Sequence, residues 1–228
     1  MKITFLGHSG YMIEEGSTAL IFDYYTGQLP KLSDMAKLYV FASHVHPDHF
    51  NRKIFEWEKM YPDIQYVLSD DIKTEGPQGK VVYIGAEKEI MLDGLRIRTL
   101  RSTDEGVAFF VYLRDKVIYH AGDLNWWHWE EEEEDYNSTM QRRYQREIGK
   151  LEGERIDVAF LPLDPRQKDQ YCWGFDYFMR HTDTKCAFPM HMWKQYDICR
   201  KLLEDPMSKP YRDKVVQVKN TLQVFEIA

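Results

Sequence analysis

The sequence predicts a mixed α/β fold with many short strands. Apolar runs of roughly four to eight residues, each bounded by turn signals, recur along the chain as strands do. Helical spacing is confined to a few stretches; the clearest is 137–151, where Met140, Tyr144, Ile148 and Leu151 share one face. Hydrophobic residues make up 43% of the 228 positions. That is enough to fill the core of one α/β domain covering residues 1–228.

In order, residues 2–23 read as three short strands. Ile3 and Phe5 alternate with polar neighbours, and the turn Glu15-Gly16-Ser17 separates the second and third runs. Asp23 closes the third. Residues 24–36, with Tyr24, Tyr25, Gly27 and Pro30, read as a loop over the sheet. A buried strand is expected at 38–42 and a helix at 51–60, then strands at 64–68 and 81–84 across a turn-rich 75–79. Residues 95–100 alternate apolar and basic residues, as a half-exposed strand would. Residues 107–113 and 117–119 form a hairpin across Arg114-Asp115-Lys116. A buried strand at 156–163, a helix at 171–180, a short strand at 185–191, a helix at 197–203 and closing strands at 214–227 complete the chain.

The bulk properties exclude some functions. Thirty basic residues against thirty-seven acidic ones give a net charge of −7. A nucleic-acid partner is not expected, because phosphate neutralisation needs clustered Lys and Arg. No apolar run reaches membrane-span length, so no membrane partner is expected. Met1-Lys2 and the residues after them read as a first strand rather than a signal peptide. Cys172, Cys186 and Cys199 are odd in number and lack CxxC spacing. A disulfide framework is therefore not indicated, and a reduced cytoplasmic location is expected.

The chemistry concentrates in Ser43-His44-Val45-His46-Pro47-Asp48-His49. His44 and His46 are two apart, so on an extended segment both imidazoles leave the same face. Pro47, with no N–H and a fixed φ, should stop the strand and let Asp48 and His49 swing back from the turn. Such a set suits two adjacent divalent ions of borderline softness, such as zinc. The plainer reading is a histidine-rich turn without metal.

His44-x-His46-x-Asp48-His49 resembles the HxHxDH motif of the metallo-β-lactamase superfamily of metal-dependent hydrolases. Gly7-His8-Ser9 is similar to the GHS of a branch that includes ascorbate-6-phosphate lactonase. The resemblance implies a four-layer αββα sandwich. It implies that Asp23 supports the histidine turn, although a strand-end cap is an equal reading. It also implies that His8 lies near the site, touching substrate or a ligand-holding carboxylate, unless it is only a turn residue. Asp123, ending the run from Val117, matches the aspartate that bridges both metals, and His191 matches the last ligand of the second metal. His44 and His46 would then hold one ion and Asp48, His49 and His191 the other. Asp48 would also orient the attacking water.

One family histidine is missing. Where it should stand, the chain reads Arg101-Ser102-Thr103-Asp104-Glu105-Gly106. A guanidinium cannot ligate a metal. Either Asp104 replaces the histidine, or the first ion keeps only His44, His46, Asp123 and solvent, or Asp104 or Glu105 hydrogen-bonds to His8 or to a ligand. Near Asp123, Trp126, Trp127 and Trp129 form either an aromatic wall for substrate or packing against the sheet. The acidic run 130–135 reads as solvated. After the 156–163 strand, Asp164 and Arg166 lie in a loop that would shape the pocket; Arg166 would hold an anionic group or sit on the surface. The implied function is hydrolysis of a small ester, lactone or phosphoester, with one or two divalent ions, zinc first and manganese or iron as alternatives. A catalytically weak ligand-binding or regulatory module competes with it, and a nuclease is less favoured.

Overall fold

The computed structural model describes residues 1–32 and 37–227. Residues 33–36, part of the loop expected over the sheet, lie outside them. Two sheets pack face to face. In the first, strands β1 (Lys2–Gly7), β2 (Gly10–Glu15) and β3 (Thr18–Phe22) form an antiparallel meander. Parallel strands β4 (Lys37–Ala42), β5 (Gln65–Ser69) and β6 (Val81–Ile84) extend it. In the second, β7 (Glu89–Leu92), β8 (Leu95–Arg101), β9 (Val107–Leu113) and β10 (Lys116–His120) are antiparallel. Parallel strands β11 (Arg155–Pro162) and β12 (Asp183–Met190) follow. A three-residue β13 (Val224–Glu226) pairs antiparallel with β1.

Alternation along β4 shows why the sheets stack into layers. Tyr39 and Phe41 point into the core between the sheets, while Leu38, Val40 and Ala42 point outward into a second apolar cluster. The inner core is aromatic. Phe22 stacks on Phe41 at 4.6 Å, Phe41 meets Phe109 at 5.2 Å, and Tyr11 meets Phe160 at 4.3 Å. The Tyr11 hydroxyl donates to the Pro189 carbonyl at 2.7 Å, joining β2 to β12 across the sandwich. The outer cluster is covered by the 3-10 helix Arg52–Lys59, which buries Ile54 and Trp57, three residues apart as its period requires. Helices α1 (Glu134–Gly149) and α2 (Trp173–His181) cover the second sheet; Phe178 of α2 stacks on Tyr119 of β10 at 4.8 Å. A third helix, α3, spans Asp197–Glu204. This is the four-layer αββα sandwich.

Some elements differ from expectation. The 51–60 helix is 3-10 rather than α. β7 was not anticipated; with alternating exposed and half-buried residues it carries little hydrophobic signal. The closing strands at 214–227 reduce to β13 and an isolated bridge between Val215 and Ala187. The cysteines are free, and no helix among the described residues is long and apolar enough to cross a membrane.

Candidate metal centre

The site lies where the C-terminal ends of both sheets' parallel strands meet. Asp23 follows β3, Ser43–His49 follow β4, Asp123 lies three residues past β10, and Asp164 and His191 follow β11 and β12. The strand β4 ends at Ala42, so Pro47 is not what stops it, and His44 and His46 stand on a bend rather than an extended segment. Their rings still converge, with centroids 4.6 Å apart and planes nearly perpendicular.

Asp23 organises the histidine turn. Its carboxylate accepts from the Ser43 N–H at 2.7 Å, the Ser43 hydroxyl at 2.6 Å and His49 Nδ1 at 2.7 Å. With its Nδ1 proton so engaged, His49 turns its Nε2 towards the centre. The Ser43 hydroxyl, donating to Asp23, lies 3.0 Å from His44 Nδ1 and gives that ring the same orientation. Asp164 serves His191 likewise at 2.8 Å. Asp71, beyond β5, accepts from the Val45 N–H at 2.9 Å and ties down the outer edge of the turn. Gly106 and Gly122, both at positive φ, press against Ser43. A Cβ on Gly106 would sit 2.0 Å from the Ser43 carbonyl oxygen, and one on Gly122 2.6 Å from the Ser43 Cβ.

Two clusters result among the described residues: His44, His46, Asp104 and Asp123, and His8, Asp48, His49 and His191. Within each, one ligand-capable atom per residue lies within 4.8 Å of the others. Asp123 faces both. Its Oδ1 is 3.2 Å from His49 Nε2 and 3.5 Å from His191 Nε2, and its Oδ2 is 3.7 Å from His44 Nε2. Asp104 stands where the family histidine is missing, 3.7 Å from His46 Nδ1. The expected alternative in which Asp104 pairs with His8 does not occur; the carboxylate beside His8 is Asp48, at 3.1 Å.

The ionisation pattern follows from this crowding. Burial and the neighbouring His49 push His44 down to about 4. Burial raises the Asp123 carboxyl, but His49 and His191 outweigh it and hold it well below the usual range. Burial likewise opposes charge on His49, yet Asp123 and Asp23 raise it well above an ordinary histidine. Asp48 is lowered because His8 and His49 outweigh its burial. Asp104 is raised by burial and by Asp123.

The buried Nε2 atoms of His49 and His191 and the Oδ1 of Asp123 have no hydrogen-bond partner. Buried polar atoms are rarely left so. Imidazole nitrogens and carboxylate oxygens converging on common points have the chemistry of a donor set for divalent ions, and such ions fit it.

Above the clusters lies a cavity of about 290 Å³. Its walls are Trp127, Trp129 and Trp193, with Tyr136 and Met140 from α1 and Arg166 at the side. Trp126, expected at the substrate wall, faces away and packs against Trp173 and Tyr177. Trp127 and Trp129 stack parallel at 5.8 Å. Arg166 is clamped on Asp164, with Nε 2.9 Å from Oδ2, and lies 4.7 Å from the Trp193 ring. His120 is a satisfied core histidine, receiving the Gly122 N–H on Nδ1, directing Nε2 to the Ser9 carbonyl and stacking on Phe22. Trp193 and Asp71 escaped sequence reading. Trp193 follows His191 by two positions, a spacing that could have flagged it; Asp71 has no distinguishing signal.

A four-layer sandwich with histidines and carboxylates gathered at its strand ends is the metallo-β-lactamase fold with a candidate two-ion centre. Residues 2–138 match the β-lactamase superfamily domain, and the chain belongs to that superfamily. A UPF0173 metal-dependent hydrolase of Nanoarchaeum equitans is 30% identical over 207 residues, covering 84% of this chain and 83% of the relative. Igni18, a metallo hydrolase of Ignicoccus hospitalis, has a similar fold, with TM-score 0.65 at 18% identity, covering 100% of this chain and 99% of that one. The metallo-β-lactamase fold protein YhfI of Bacillus subtilis gives 0.64 at 15% identity, with 99% of each covered.

Proposed function

We propose that the protein is a metal-dependent hydrolase acting on a small ester-type substrate, a lactone or phosphoester, with zinc as the first-choice ion. The observation that carries this reading is the convergence of unpartnered buried ligand atoms of His49, His191 and Asp123 beneath an open cavity. His44, His46, Asp104 and Asp123 would hold one ion, and Asp48, His49 and His191 the other, with Asp123 shared. Divalent ions there supply Lewis acidity and bring the pKa of a coordinated water towards about 7.

The chain's own groups do the rest. Asp23, Ser43 and Asp164 fix the imidazole orientations. Asp48, ionised and lining the cavity, would accept a hydrogen bond from the attacking water and orient it. The three indoles exclude bulk water and hold the apolar part of the substrate. Arg166, beside them, faces an anionic substituent of the substrate. The acidic chain favours a small-molecule substrate over a nucleic acid, and a cytoplasmic location fits the free cysteines.

Metal analysis of protein purified without chelators, combined with turnover of a lactone and phosphoester panel, tests this. Stoichiometric metal is expected, with activity lost in His49→Ala. Absence of bound metal, or full activity in that variant, would overturn the reading. A ligand-binding module of weak activity is the competing reading, favoured by Asp104 standing in for a histidine. Tight ligand retention without turnover across the panel would select it.

A further inference from the structure

His8 is outside the ligand set just described, and its surroundings give it a role there. It follows β1 at φ 51°, a left-handed conformation that a non-glycine residue adopts at a cost. Its carbonyl accepts from the His191 N–H at 3.0 Å, which fixes the backbone of one histidine to that of the other. The ring is wedged between His191, 4.2 Å away centre to centre, and Trp193 at 4.5 Å. The side chain is only 5% exposed.

Nε2 of this buried ring faces a carboxylate, 3.1 Å from Asp48 Oδ2, and makes no hydrogen bond. The Nε2 atoms of His49 and His191 are in the same condition. Ligand-capable atoms of His8, Asp48, His49 and His191 lie within 4.8 Å of one another.

We infer that His8 is a further protein ligand of the second ion, joining Asp48, His49 and His191 and the shared Asp123, so that three imidazoles face that ion. This rests on the metal-dependent reading above. Zinc takes imidazole nitrogens and carboxylate oxygens in four- or five-fold coordination. The other cluster has two imidazoles and two carboxylates, and the side chains of His46 and Asp104 there are 44% and 47% exposed. Its donors are harder and more open to solvent. The two ions therefore differ in standing: the one at His8 is deeply and tightly held, and the one at Asp104 exchanges readily.

Zinc-edge X-ray absorption on the full chain tests the assignment, because imidazole scattering counts coordinated histidines. The His46→Ala variant, which weakens the outer cluster, is loaded with one equivalent of zinc. Three imidazoles per zinc are expected. In His46→Ala/His8→Ala the count drops to two, and zinc affinity measured by chelator competition falls by at least about tenfold. Two imidazoles with His8 intact would overturn the assignment while leaving the hydrolase reading in place. Failure of the unaltered protein to bind zinc, manganese or iron would overturn that reading and this inference with it.

Discussion

Asp23 shows how one buried carboxylate can set the state of several imidazoles. It touches no candidate ion position, yet it receives the Ser43 backbone, the Ser43 hydroxyl and His49. Asp23→Asn keeps the shape and removes the charge; zinc affinity should fall roughly 10–100-fold with the fold retained. Chelator competition measures the first and circular dichroism the second, and unchanged affinity would refute the role. His49 gives a pH prediction. Its folded pKa is raised, so in metal-free protein its proton adds stability that is fully present below about 6.5 and lost as pH rises through the folded value. A cation at Nε2 must displace that proton. Zinc binding at pH 7 should therefore release protons and strengthen with rising pH, as calorimetry in buffers of different ionisation enthalpy would report. Heats independent of the buffer would contradict this. At this scale the ligand-type residues from His44 to His49, with Asp123 and His191, were legible because their spacing and strand-end positions match a motif. Asp104 could only be offered as one of several options, since a carboxylate's partner across the fold is not encoded in its neighbours. Trp126 was misplaced because adjacent residues on a loop face different ways, and nothing local says which indole turns inward.

Among the elements, the turn after β4 depends on two others that press against it. The segment from Arg101 to Val107 brings Gly106 under Ser43, and the Val107 N–H donates to the Ser43 carbonyl at 2.9 Å. A methyl group at Gly106 would meet a backbone oxygen, which cannot rotate away, and would also load a φ of 67°. Gly106→Ala should cost at least about 1–3 kcal/mol from backbone strain alone. That corresponds to a fall of several degrees in Tm, about 2–4 °C per kcal/mol for a chain of this size. Thermal unfolding checks it, and a wild-type Tm would show that the turn is not clamped as described. Most strands were legible from their apolar runs. The exceptions share a cause: β7 is amphipathic only weakly, and the stretch after Lys214 follows the surface, so its pairing is decided by neighbours rather than by its own pattern.

For the molecule as a whole, the two sheets repeat one plan, an antiparallel meander followed by parallel strands. Asp23 after β3 corresponds to the Asp123 region after β10, and the His44 turn after β4 to Asp164 after β11. Each candidate cluster draws on both sheets, and Asp123 touches the two together. Ions bound there would tie the halves of the sandwich to each other. Zinc at a hundred times its Kd should stabilise the native state by about 2.7 kcal/mol. The midpoint should rise in a single cooperative transition and fall again on adding a chelator, which calorimetry would follow. Stabilisation confined to one of two separated transitions would contradict the shared centre. The layering was legible only through the family resemblance, because alternation along a strand reveals that both faces are buried but not what covers them.

The cavity of about 290 Å³ sets a practical limit on inhibitor discovery. It sits at the lower edge of the size range of small-molecule sites, so a drug-sized compound would leave much of itself in solvent. Very small ligands can gain up to about 1.5 kcal/mol per heavy atom, a yield that larger ones do not sustain. A fragment library of flat, compact chelators is therefore the better starting point for chemical probes of this protein.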